Sequence, residues 1–204
     1  MPYVHATGRD PSIWEISPKP ANRGDIALIA VALAREQGAD FAFSAAPRSA
    51  FRELSGNQIP DLSRLEWLRN RYKCTQFVGE ALIRAGFKMP TFRMNDGSVH
   101  FMNAELLPHQ SQYFARITDL NAIQPGDLMI VDYAGRGENS AHAEIVLCAA
   151  NQRLQTVGAH RDGAKIKDNS HLLSLLRYNQ ASKNWVLNDS KIYVLRPKST
   201  VSDF

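Results

Sequence analysis

Residues 123–160 read IQPGDLMIVDYAGRGENSAHAEIVLCAANQRLQTVGAH. Pro125-Gly126-Asp127 makes a turn, and LMIVDY at 128–133 is a strand-like apolar run. AGRGENSA at 134–141 is a polar, flexible loop. AEIVLCA at 143–149 reads as a second strand and RLQTVGA at 153–159 as a third, joined by the turn Ala150-Asn151-Gln152. KIYVLR at 191–196 adds a late strand, and residues 170–178 read as a short helix. This half of the chain is a mostly antiparallel sheet.

Upstream the texture is helical. A strong helix begins near Cys74, with Phe77, Val78, Ala81, Leu82 and Ala85 as its apolar stripe and Gly86 as its end. An earlier helix covers about 24–37. Asn22 caps it, Asp25 is the capping-box acid, and Ile26, Ile29, Ala30 and Leu33 fall on one face, with Gly38 as the stop. Residues 1–21 read as a Pro-rich extended arm, 39–61 as a loop or short helices, and 61–69 as a short helix capped by Asp61 or Ser63. Residues 87–123 are mixed, with amphipathic hints at 103–107. Helices first and an antiparallel sheet second is an α+β plan. It divides into an N-terminal extension with one helix, residues 1–60, packed on a main domain of residues 61–204.

The 204 residues are 44% hydrophobic, 22% charged and 9% aromatic, which excludes wholesale disorder and fibrous repeats. No apolar run approaches the roughly 18 residues of a membrane helix. The longest, IALIAVALA at 26–34, ends in an Ala-x-Ala like a signal cleavage site. About 25 residues carrying Asp10, Glu15 and Asp25 precede it, which is unlike a short positive leader. The chain therefore reads as made in the cytoplasm without a cleaved signal. A net charge of +4 favours anionic partners. The Lys and Arg residues are dispersed, with no basic run or stacking motif, so nucleic acid is not expected as a partner. Two cysteines and six scattered histidines contain no HExxH or CxxC, so no structural metal is expected.

Cys74 carries the first chemical signal. At the start of a helix, exposed backbone N–H groups, the helix dipole and neighbouring Lys73 all favour a thiolate. His142 opens a strand after the polar loop and can face a helix packed across the sheet, as general base to the thiol and acid to a leaving amine. A third group must orient the imidazole. His160, at the end of the next strand, is the first choice. Asp162 and Glu144 are rivals, Glu144 because it shares a strand face with His142.

With these residues placed, YKCTQFVGEALIRAGF at 72–87 resembles the catalytic-cysteine helix of the NlpC/P60 and CHAP cysteine peptidases. IQPGDLMIVDY resembles their P-G-D-L strand entry, AHAEIVL their histidine strand, and TVGAH the strand that supplies the third polar residue. The four motifs stand in the family's order over about residues 65–165. The resemblance implies a papain-like core and hydrolysis of amide bonds in peptidoglycan stem peptides, without metal or organic cofactor. It implies Cys74 as nucleophile, His142 as base, His160 as orienting residue, and Tyr72 as a contact to substrate or oxyanion. The chain departs from the family at Lys73, where Asp or Asn is usual, at Thr75, and at Glu144, which replaces a small residue and could repel an acidic substrate.

Family biology extends these expectations to an antibacterial effector injected by a type VI secretion system into a target's periplasm. An immunity protein and a secretion carrier would be its partners. A phage-type lysin is the alternative delivery route. A same-fold deamidase or acyltransferase acting on a protein or lipid is the alternative enzyme. A basic binding module, with Cys74 and Cys148 joined in a disulfide, is the non-enzymatic alternative.

Overall fold

The computed structural model describes residues 21–43, 45, 73–93, 99–137 and 140–199. Its helices are α1 (Arg23–Gln37), α2 (Lys73–Arg84) and a single turn, α3 (Ser170–Leu173). Ten strands follow in chain order. They are β1 (Thr91–Arg93), β2 (Val99–Phe101), β3 (Phe114–Ile117), β4 (Leu128–Asp132), β5 (His142–Ala150), β6 (Arg153–His160), β7 (Gly163–Asp168), β8 (Arg177–Asn179), β9 (Asn184–Leu187) and β10 (Ser190–Pro197). β1 and β2 form a separate hairpin. The other eight make one sheet in the order β7-β6-β5-β4-β10-β9-β8, with β3 also paired to β10. Every pairing is antiparallel. The protein is α+β.

Strand alternation separates two cores. Leu128 and Ile130 of β4, Ala143 and Ile145 of β5, and Val157 and Ala159 of β6 turn to the helices. There they meet Ile26, Ala30 and Leu33 of α1 and Phe77, Val78, Ala81 and Leu82 of α2. Phe77 is fully buried, with the ring of Phe41 edge-on at 5.1 Å. Met129, Val146, Ile192 and Val194 form a smaller cluster with Trp185. α2 packs across β5 and β6, while α1 lies against α2 and β5 to β7. The helix of the N-terminal segment therefore belongs to the same core as the sheet.

The ends of these elements follow their sequences. Asn22 Oδ1 accepts the Gly24 N–H at 3.0 Å and caps α1. Gly38 does not close α1 with a left-handed residue. It stays right-handed at φ −54° and leads into a 3-10 turn over Gly38–Phe41. Gly86, at φ 84°, does end α2 in the left-handed way, its N–H bonded to the Ile83 carbonyl at 2.9 Å.

The Pro-Gly-Asp turn is tied down at three points. Gly126, at φ 89°, donates to the Val146 carbonyl at 2.9 Å, and Val146 donates to the Asp127 carbonyl at 2.8 Å. Arg196 grips the buried Asp127 carboxylate with two bonds, of 2.9 and 2.8 Å. Asp127 is a structural anchor that fixes β4 against β5 and β10.

One further sequence expectation changes. The helix over 170–178 shrinks to α3, and Arg177–Asn179 pairs with β9 as β8. β7, with Lys165 and Lys167 among its six residues, is an edge strand whose polar sequence hides its role. The expected arm at 1–21, save Ala21, and the short helix at 61–69 lie outside the described residues, as does most of the 39–61 loop. Among the described residues, no helix is long and apolar enough to cross a membrane.

Candidate active site

Cys74 is the second residue of α2. Its backbone N–H therefore belongs to the first turn, where donors have no partner within the helix. The side chain is half-buried against the main core. His142 is the first residue of β5, and its ring lines the same cleft as the Cys74 side chain, close enough for Cys74 to favour a proton on the imidazole. Helix start and strand start meet at one end of the sheet, because α2 packs across β5.

His142 Nε2 lies 3.0 Å from Glu144 Oε1. Glu144 sits on the same strand face two residues along, as alternation requires. Its other oxygen, Oε2, accepts from the Thr156 hydroxyl and from Asn169 Nδ2 at 3.3 Å. Asn169 Nδ2 also donates to Thr156 Oγ1 at 2.7 Å. Space for the carboxylate comes from Gly158: a Cβ there would stand 2.8 Å from Glu144 Cγ. His160 ends β6, with its ring centroid 4.9 Å from that of His142. Its Nε2 is 3.2 Å from the same Glu144 Oε1, yet this buried nitrogen makes no hydrogen bond.

Charge follows geometry. Burial opposes a proton on His142, but Cys74 and the hydrogen bond to Glu144 outweigh it and raise the imidazole to about 9. Burial likewise opposes a charge on Glu144, and the bonds from His142 and Thr156 win, holding the carboxyl at about 2. His160 goes the other way: burial, aided by charged His142 and the lysines of β7, lowers it to about 4 against the pull of Glu144. At neutral pH the site holds an imidazolium–carboxylate pair next to Cys74, with a neutral second imidazole behind the pair.

Cys74, His142 and His160 line a cleft of about 580 Å³, together with Tyr133. Burial, Glu144 and Cys74 raise the Tyr133 phenol, Arg136 opposing, so it stays a neutral donor. Arg136 lies 4.4 Å from the ring's centroid. Lys73, Arg136, Arg161 and Lys167 also line the cleft, against Glu105.

No protein-family model, curated protein or solved structure matches this chain.

The sequence-derived site residues thus fall out as follows. Cys74, His142 and His160 come together. Tyr72 lies outside the described residues. The hydrogen bond to the His142 ring comes from Glu144, not from His160. Asp162 is exposed and bound to Lys165 at 2.7 Å. Both cysteines are free thiols. Thr156, Asn169 and Tyr133 were not singled out by the sequence. Thr156 could have been, since it shares a strand face with His160; Asn169 could not, because it reaches the site from beyond β7. A nucleophile, a base, a carboxylate behind the base and a backbone N–H in the first turn of a helix are the parts an acyl-transfer site needs. His142, Glu144 and His160 also bring one ligand atom each within 4.8 Å of one another, the donor set of a metal site.

Proposed function

We propose that this protein is a cysteine amidase or endopeptidase that cuts amide bonds of peptidoglycan stem peptides. The observation that carries the proposal is the contact between Cys74, in the first turn of a helix, and His142, itself paired to a buried carboxylate. Cys74 attacks the scissile carbonyl while His142 carries the proton and then gives it to the leaving amine. The resulting thioester is opened by a water from which His142 takes a proton. The Cys74 backbone N–H is one donor to the oxyanion, and Tyr133, which lines the same cleft, is a candidate second donor. Glu144 orients the ring and balances its charge.

Support for the papain-like plan is the helix bearing Cys74 laid across an antiparallel sheet whose strand begins with His142, in the motif order the sequence resembles. Support for an acidic substrate is the basic lining of the cleft. Glu144, which in the sequence looked able to repel such a substrate, is spent on His142, Thr156 and Asn169. Action in the periplasm of a target bacterium, as an injected effector held in check by an immunity protein, follows from the resemblance.

The test is to incubate the protein and its Cys74→Ala variant with purified peptidoglycan and identify released fragments by mass spectrometry. The expected result is muropeptides that appear only with the thiol present, their masses naming the bond. Folded protein that releases nothing would move the assignment to a protein or lipid amide.

A further inference from the structure

The orienting end of the His142 ring holds more than a catalytic carboxylate requires. Glu144 alone would suffice to position His142, yet His160 is brought to the same oxygen. Its Nε2 is buried, 3.2 Å from Glu144 Oε1, and makes no hydrogen bond. An orphaned buried nitrogen is costly, and a fold keeps few of them.

Two imidazole nitrogens and a carboxylate oxygen converge here. His142 Nε2 and His160 Nε2 stand 3.0 and 3.2 Å from Glu144 Oε1, and the three residues bring one ligand atom each within 4.8 Å of one another. A tetrahedral zinc ion with bonds of about 2.0–2.1 Å sets its ligand atoms about 3.3 Å apart. Two edges of the tetrahedron are already near that length. The ligands sit on adjacent strands, β5 and β6, whose pairing holds them in place. Glu144 Oε2 is committed to Thr156 and Asn169, which leaves Oε1 to the ion; ligating carboxylates are held in this way in established metal sites. The cleft leaves room for a water as fourth ligand.

We propose that His142, Glu144 and His160 form a binding site for a divalent transition ion of the zinc class, distinct from the thiol. Imidazole and carboxylate donors suit zinc, cobalt and nickel, whereas calcium and magnesium prefer oxygen alone. Binding displaces the proton between His142 and Glu144 into solvent. The remaining ring nitrogen then keeps its own proton and cannot accept one from Cys74. On the thiol mechanism proposed above, on which this consequence rests, the ion is a brake and not a cofactor.

The probe is Co²⁺, titrated into the Cys74→Ala variant. That variant removes thiolate ligation and needs no activity, so the result does not depend on whether the enzyme assignment is right. One cobalt per chain should bind, with the visible absorption of four- or five-coordinate cobalt, and Zn²⁺ should displace it. Adding His160→Gln should weaken binding by about a hundredfold or more, since even outer-shell losses cost about ten- to a hundredfold. No visible band in the Cys74→Ala protein would overturn the site without any further variant. Equal affinity in the folded His160→Gln protein would overturn it too.

Discussion

At the scale of single residues, Glu144 decides what His142 can do. A half-buried imidazole left alone would lose its proton early, because burial penalises the charged form. Cys74 and the Glu144 carboxylate together reverse the sign and keep the ring charged to about pH 9. Glu144→Gln keeps the shape and removes the charge. The alkaline limb of kcat/KM, near pH 9 in the parent, should then fall toward the ordinary histidine range, and the rate should drop by about a hundredfold. An unshifted limb would mean that Glu144 does not set the ring's charge. Cys74 and His142 were legible in the sequence because each opens an element, a helix and a strand. The choice between His160 and Glu144 was not, since both share a face with His142 once β5 and β6 pair. Only the direction of the ring nitrogens separates a hydrogen bond from a near miss.

Elements place these residues, and the pairing of β5 with β6 matters most. Ile145 faces Val157. The same register continued toward the strand ends sets Glu144 beside Gly158 and His142 beside His160. The empty side-chain position at 158 is what lets Glu144 lie flat beneath the ring. Gly158→Ala should push the carboxylate from His142, cutting activity by about tenfold or more while secondary structure survives. Full activity in that variant would show that the space is not needed. The apolar stripe of α2 and the three-strand run β4 to β6 could be read from periodicity because each buries a full face. β3, β8 and β9 could not, being three or four residues long and stabilised by their neighbours, β3 and β9 by β10 and β8 by β9, rather than by their own pattern. β7 escaped for a different reason: its lysines make an edge strand look like a loop, and β6 supplies the pairing.

Across the whole molecule, the site leaves a signature in stability against pH. His142 is raised above its unfolded value, so its contribution is complete below about pH 6.5 and is lost as pH climbs through about 9. His160 is depressed: the unfolded chain takes a proton below about 6.5 that the folded chain refuses until about 4, so stability falls on acidification through that window. Glu144, held near 2, adds a further loss between about 4.5 and 2. Denaturant midpoints measured with a chelator present should therefore peak near pH 6.5. His142→Asn should remove the alkaline fall and His160→Gln the first acid one. A profile flat from about pH 4 to 9 would contradict the charge pattern. The α+β plan was visible from the change of texture along the chain. In the sequence the N-terminal helix reads as an extension packed on the main domain, whereas α1 is part of the same core as the sheet.

Cys74 and His142 work as a unit, and the rates at which the two thiols are alkylated report it. The protein is treated briefly with iodoacetamide at about pH 6 and its peptides are mapped by mass, in the parent and in His142→Ala. Beside an imidazolium, Cys74 should react about tenfold or more faster than Cys148, and the advantage should vanish without His142. Equal rates at the two cysteines in the folded parent, or a Cys74 rate indifferent to His142, would contradict the account.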